Sequence, residues 1–316
     1  MMRARDVDVL ELSDEELAFF RLTLDLFPTP ESPLRSFEDR DVVPEHADKT
    51  FESLQGRSLL NAAGVGASDA VRDRLLPVAE CNARVRVTVR APTEKRVRDF
   101  YVSGNAAVEY GASDASHHFG PSRSESALAG ELAHQFRTAP EGVSRSLRMS
   151  SGDYLVFAVF ARDLRGARED TPVDAMSIDE VLAYFDEPEH KTARLPDDEA
   201  WQASVTSLAK QRVLVEKNGN YELHSSLHAL AREIVADHQH NIVRFDYLDD
   251  QWLVREVSLF PTPDSVYRLG TEPDGSVLIQ ELTASSLADV LANVVGTLPS
   301  LLNPDAVPQL RSVQAR

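Results

Sequence analysis

The sequence predicts an α+β fold of two pseudo-repeats, each built from helices, an antiparallel β-meander and a closing helix. Three observations carry this. Leu287, Val290, Leu291, Val294 and Val295 recur at i, i+3, i+4, i+7 and i+8, the stripe of an amphipathic helix. Leu128, Leu132 and Phe136 stand at the same 159-residue separation from Leu287, Leu291 and Val295 (128 to 287, 132 to 291, 136 to 295). Short alternating segments precede both stripes and helical segments precede those, a shared order of parts that marks an internal repeat.

We place the first unit at 9–137, a linker at 138–150, the second unit at 151–298 and a loose tail at 299–316. A chain of 316 residues with 42% hydrophobic content sustains one large core or two modest ones. The formal net charge of −18 repels phosphate backbones and anionic membrane surfaces, which weighs against nucleic acid as a partner and against membrane insertion. Cys81, the single cysteine, excludes an intramolecular disulfide. The N-terminus meets acids where a signal peptide needs an apolar run, and the longest uncharged apolar run, Tyr154 to Ala161, falls far short of the ~20 residues that span a bilayer. The expectation is a soluble cytoplasmic protein.

In chain order, Ser13-Asp14-Glu15-Glu16 is a capping box that opens a helix through Leu17, Phe20, Leu24 and Phe27. Pro28, Pro30, Pro33 and Pro44 then impose a loop to about Asp48. Helices near Phe51 to Gln55 and Ser68 to Leu76 follow. Val85, Val87 and Val89 alternate with Arg84, Arg86 and Arg90, the period of a strand with one buried face. Further strands are expected at Arg98 to Val102, Ala106 to Tyr110 and His117 to Phe119. A capping box at Ser122 to Glu125 starts the closing helix.

The second unit opens with a buried helix from Leu155 to Leu164. A capping box at Ser177 to Glu180 precedes a helix through Val181 and Phe185, and Asp197 caps the helix bearing Trp201. Asn218-Gly219 turns a hairpin. Strands are expected at Ile242 to Tyr247, Trp252 to Val257, Val266 to Leu269 and Val277 to Ile279.

No catalytic set emerges. His224 and His228 stand one turn apart, a spacing that can chelate a metal, but the glutamate of a zinc hydrolase is missing, so they read as polar positions flanking a helix. His238 and His240 lie beyond that helix, and adjacent His117 and His118 point to opposite faces of a strand. Ser207 and Lys210 match a serine–lysine pair without its companion motif. Gly64 and Gly66 lack a third glycine and a preceding strand. Cys81 has no base partner in sequence. We therefore expect no enzyme, cofactor or metal. Trp201 to Val235 also has the outline of a winged helix, which makes a transcriptional regulator the alternative; acids surround it where a DNA reader carries Lys and Arg.

Leu54-Gln55-Gly56-Arg57-Ser58-Leu59-Leu60 is similar to the Leu-x-x-Arg-Gly-Leu-Val phrase of the EspG family of type VII (ESX) secretion, and Leu208 to Val215 is a longer version of it. The resemblance spans roughly Val9 to Leu298. It implies a quasi-two-fold protein with a central antiparallel sheet flanked by two helical parts, acting as a cytosolic chaperone that shields the apolar tip of a helical PE–PPE-like substrate. No binding residue transfers from the family position by position. Aromatic side chains give large contact area at small entropic cost, which selects Phe260, Trp252 and Tyr110 as partner contacts, with Phe260 placed in a proline-bracketed loop.

Overall fold

The computed structural model describes residues 9–37, 44–64, 66–113, 116–142, 144–162, 164, 175–177, 198–248 and 251–297. Its elements run β1 (Leu10–Ser13), α1 (Asp14–Thr23), a 3-10 turn (Pro33–Phe37), α2 (Pro44–Gly56), α3 (Asp69–Ala79), β2 (Ala83–Ala91), β3 (Glu94–Ser103), β4 (Ala106–Ala112), β5 (Ser116–Phe119), β6 (Arg123–Ser124) and α4 (Glu125–Ala133). They continue with β7 (Ser146–Met149), α5 (Ser151–Arg162), α6 (Asp198–Lys210), β8 (Leu214–Lys217), β9 (Asn220–Leu223), a 3-10 turn (Ser225–Leu227), α7 (His228–Val235), β10 (Gln239–Leu248), β11 (Gln251–Pro261), β12 (Val266–Thr271), β13 (Val277–Leu282) and α8 (Ala284–Val295). The fold is α+β, as the sequence predicts.

Among the described residues eleven strands form one antiparallel sheet in the order β1-β5-β4-β3-β2-β10-β11-β12-β13-β7, with β6 on β4. That order reads alike from either edge, and the halves meet at the β2–β10 ladder, where Val87 lies opposite Ile242. Tyr101 pairs with Val108, and Phe260 with Tyr267, the same positions 159 residues on. Three apolar cores result. On one sheet face α4 and α8 cover Val85, Val87, Phe100, Ile242 and Leu259, and the helices contribute Leu128, Leu132, Leu287 and Leu291. On the other face β1 and α1 to α3 close over Tyr101, Val108 and Phe119 at one end. There α5 to α7 close over Phe260, Tyr267 and Ile279 at the opposite end.

Local signals account for many boundaries. Ser13 caps α1 with a complete capping box. Asn218 and Gly219, with φ of 53° and 83°, make the type I′ turn between β8 and β9. Four differences from the sequence reading have physical causes. First, α1 stops at Thr23 and leaves Phe27 77% exposed, because Asp25 turns the chain at φ 48° and the residue before Pro28 is kept out of the helical region. Second, the cap of α4 is Ser124, which accepts from the Ala127 amide, while Glu125 is drawn into the charge network described below. Third, residues 138–150, read as linker, contain β7, whose Met149 pairs with Val277 and enters a core. Fourth, Phe260 belongs to β11 rather than to a loop, because the ladder with β12 runs through Pro261. The helix expected after Ser177, the Asp197 cap and the tail from 299 lie outside the described residues.

Beneath α8 the core is ionic. Arg244, 1% exposed, donates from Nε to Asp246 Oδ1 at 2.7 Å and from Nη1 to Glu125 Oε1 at 2.5 Å and to the Val295 carbonyl. Its Nη2 reaches Thr297 Oγ1 at 2.9 Å. Arg255 donates to Asp246 Oδ2 at 2.9 Å and to the Asn293 and Gly296 carbonyls. Both guanidiniums thus meet the carbonyl end of α8, and Glu125 lies in the first turn of α4, so charges of the favourable sign face both helix ends. A Cβ at Gly296 would lie 2.6 Å from the Ala292 carbonyl oxygen, so only glycine lets the chain turn there and bring the Thr297 amide to Glu125 Oε2 at 2.8 Å.

Removing one member of such a network leaves a buried charge uncompensated. Glu125→Ala is therefore expected to cost about 3 kcal/mol or more in urea unfolding; a loss within the ~0–1 kcal/mol of an exposed pair would remove the network from the core's support. A second expectation concerns His240, whose ring lies 4.8 Å from that of Phe136. Burial, with His238 beside it, pushes its pKa down to about 4. The unfolded imidazole titrates near ~6.5, so between these values the unfolded chain binds the extra proton and stability falls as pH falls. His240→Phe is expected to flatten the thermal midpoint against pH in that window, and an unchanged slope would contradict the assignment.

Candidate functional site

Alternation along β10 puts Ile242, Arg244 and Asp246 toward α8, and Val243, Phe245 and Tyr247 on the opposite face. Registry adds Trp252 and Val254 of β11 and Val97 of β3 to that second face. Its two ends are covered by the helical parts, but its centre is not covered by any described residue. Trp252 and Val254 are each 50% exposed and Val97 is 47% exposed. The Trp252 ring meets Tyr247 at 5.2 Å and the edge of Phe245 at 6.2 Å, so the strip is held in one arrangement by its own aromatic contacts. Arg84, opposite both Phe245 and Tyr101, lays its guanidinium 4.8 Å over the Phe245 ring. Next to it, Arg86 holds Asp99 in a bidentate pair at 2.8 Å.

The same face continues into a notch. The β3–β4 ladder ends at Asp99 and Tyr110, after which β3 follows β2 and β4 follows β5. The strands part around a cavity of about 650 Å³ lined by Val9, Val97, Arg98, Glu109, Tyr110 and Glu131, among others. Tyr110 is half-buried there, stacked on His117, with its hydroxyl 2.9 Å from His117 Nδ1. Burial, with Tyr101 beside it, pushes the Tyr110 phenol up to about 12. It is neutral at any physiological pH and offers a contact surface rather than a proton.

The three aromatic residues selected from sequence share this face and differ in access. Trp252 stands at the open centre and Tyr110 borders the notch. Phe260, 6% exposed, lies beneath α5 to α7 in the core, so it has no surface to offer. Sequence reasoning passed over Phe245, Tyr247, Val254 and Arg84. The run Val243, Phe245, Tyr247 is an apolar alternation that would ordinarily mark the buried face of a strand, and here it marks the open one.

The remaining candidates are engaged locally. His224 Nδ1 accepts from the Ser226 amide at 3.2 Å, and His228 Nε2 lies 2.9 Å from the Leu223 carbonyl oxygen, so the two rings serve separate turns. Ser207 donates to Asp153 at 3.1 Å. His117 lies between Tyr110 and Asp14, 2.8 Å from the latter. Cys81 is buried, which pushes its thiol up, away from the reactive thiolate. Among the described residues, no group of three or more His, Cys, Asp or Glu side chains is placed to hold a metal ion.

No protein-family model and no curated protein matches the chain. Among solved structures, it is similar to the Mycobacterium tuberculosis type VII secretion system chaperone EspG5, whose structure was solved in complex with the PE25–PPE41 dimer. The TM-score is 0.50 at 10% sequence identity, and the match covers 92% of this chain and 97% of that one. At that identity the likeness is one of fold. It extends along nearly the whole of both chains.

Proposed function

We propose that this chain is a non-enzymatic, cytosolic binding protein of the secretion-chaperone type, and that the open centre of its sheet holds the apolar end of a helical partner. The observation that carries the reading is the strip of half-exposed Trp252 and Val254 packed with the partly buried Phe245 and Tyr247, on a sheet walled by two helical parts, with exposed Val97 further along the same face. Covering the exposed half of Trp252 alone removes roughly 100 Å² from water, worth about 2–3 kcal/mol before ordering costs. The fold likeness to a chaperone solved with a helical dimer supports the class of partner. The repeated register at 159 residues supports, in addition, an origin of the two halves by duplication.

A winged-helix reading finds less support. The helix α6 and the hairpin β8–β9 have its outline, but the exposed α6 residues Glu199, Gln202, Ala203, Thr206 and Lys210 set one cation against one acid, where a phosphate-binding face needs several cations.

Co-expression with helical proteins encoded beside this gene tests the proposal. A near-stoichiometric complex is expected, with Trp252 shielded from acrylamide quenching when the partner binds. Trp252→Asp is expected to abolish the complex with little change in thermal midpoint. Phe260→Asp places a charge in a core and is expected to unfold the chain. A Trp252→Asp protein that still binds its partner at wild-type affinity would overturn the choice of surface.

A further inference from the structure

The open face has an electrostatic centre as well as an apolar one. Among its charged side chains, Arg86 is committed to Asp99, and Arg90 meets Asp237 at 3.3 Å. Lys95 stands at the far end of the β2–β3 hairpin and Glu256 on β11 across from Val243. Arg84 sits between the covered Tyr101 and the open Phe245, half-buried, and no carboxylate among the described residues lies within ion-pair distance of it. Its contacts are the Phe245 ring and the Tyr101 hydroxyl. A half-buried guanidinium without a counter-charge among the described residues is out of keeping with a chain of net charge −18, where acids outnumber bases 51 to 33.

We propose that Arg84 reads a carboxylate on the partner: the bound helical segment presents an apolar surface to Trp252, Phe245 and Val254 and an Asp or Glu side chain to Arg84. The inference rests on the docking surface proposed above and names the chemistry that surface selects. A guanidinium held over an aromatic ring keeps N–H groups that can donate to a carboxylate, and the low-dielectric surroundings of a covered interface strengthen that bond. The surrounding acidic exterior repels carboxylates, so a partner acid gains by binding only where Arg84 receives it. The apolar strip supplies affinity, and Arg84 supplies register and selection.

The probe is a leucine-striped helical peptide of about 20 residues with one glutamate at the margin of the stripe, set against its glutamine twin. Binding is read from Trp252 emission, since Trp201, the other tryptophan, is 1% exposed. The glutamate peptide is expected to bind about tenfold tighter at low salt, a preference that shrinks at high salt. Arg84→Gln should abolish the preference, so that the two peptides bind that variant with equal affinity, and Arg84→Lys should retain part of it; thermal melts verify that both variants are folded. Equal affinities for the two peptides, or a preference that survives Arg84→Gln, would overturn the assignment to Arg84 and leave the apolar surface standing. If neither peptide moves Trp252 emission, the surface itself fails and this inference with it.

Discussion

The constraint on which this molecule turns is the burial of Arg244. A guanidinium enclosed between a sheet and two helices needs its donors satisfied, and Glu125, Asp246, Thr297 and the Val295 carbonyl at the end of α8 supply the acceptors. Two of these partners come from opposite halves of the chain, Glu125 at the start of α4 and Val295 at the end of α8, so the network fastens the helix pair across the β2–β10 ladder. It also fixes which way β10 faces. Strand alternation leaves no freedom: if Arg244 and Asp246 point toward α8, then Val243, Phe245 and Tyr247 point away.

The consequence reaches the opposite surface. On β2 the pattern is ordinary, with Val85 and Val87 in the core and Arg84 and Arg86 on the open face. On β10 it is inverted. The two strands are neighbours, so the open centre receives arginines from one half and aromatic residues from the other, and Arg84 comes to rest on Phe245. A symmetric strand order therefore carries an asymmetric surface. The helical parts cannot cover that strip, since each is engaged over its own end of the sheet by Tyr101 and Phe119 on one side and Phe260 and Tyr267 on the other.

Much of the fold is legible in the sequence because it depends on short-range rules. The stripe from Leu287 to Val295, the alternation of Val85 with its arginines, the Ser13 box and the Asn218-Gly219 turn each declare a local geometry that packing then accepts. What sequence does not declare is non-local. Nothing in Ser146 to Met149 says that a strand will be recruited to the edge beside β13, because the pairing partner lies about 130 residues on and a serine- and arginine-rich segment has little strand propensity of its own. The placement of Phe260 failed for a related reason. A proline ends ladders when its missing N–H is needed, yet Pro261 lies at the last pair of β11, where the strand can stop without it.

The site was half legible for a deeper reason. Binary patterning assigns the apolar side of a strand to the core, and along Val243 to Tyr247 of β10 and Trp252 to Val254 of β11 that rule gives the wrong answer, because the polar side of β10 is stabilised by a network whose members lie 119 and 51 positions away from Arg244. Trp252 was found through its chemistry, as an aromatic residue suited to contact, and not through its place in the pattern. Places where local rules and tertiary structure disagree are where function is expected to reside. A buried ionic cluster contributes little net stability over an apolar core of the same volume, so its presence here calls for another account. Turning an apolar strand face outward, in a single fixed register, is an effect that an apolar core at Arg244 and Asp246 could not produce.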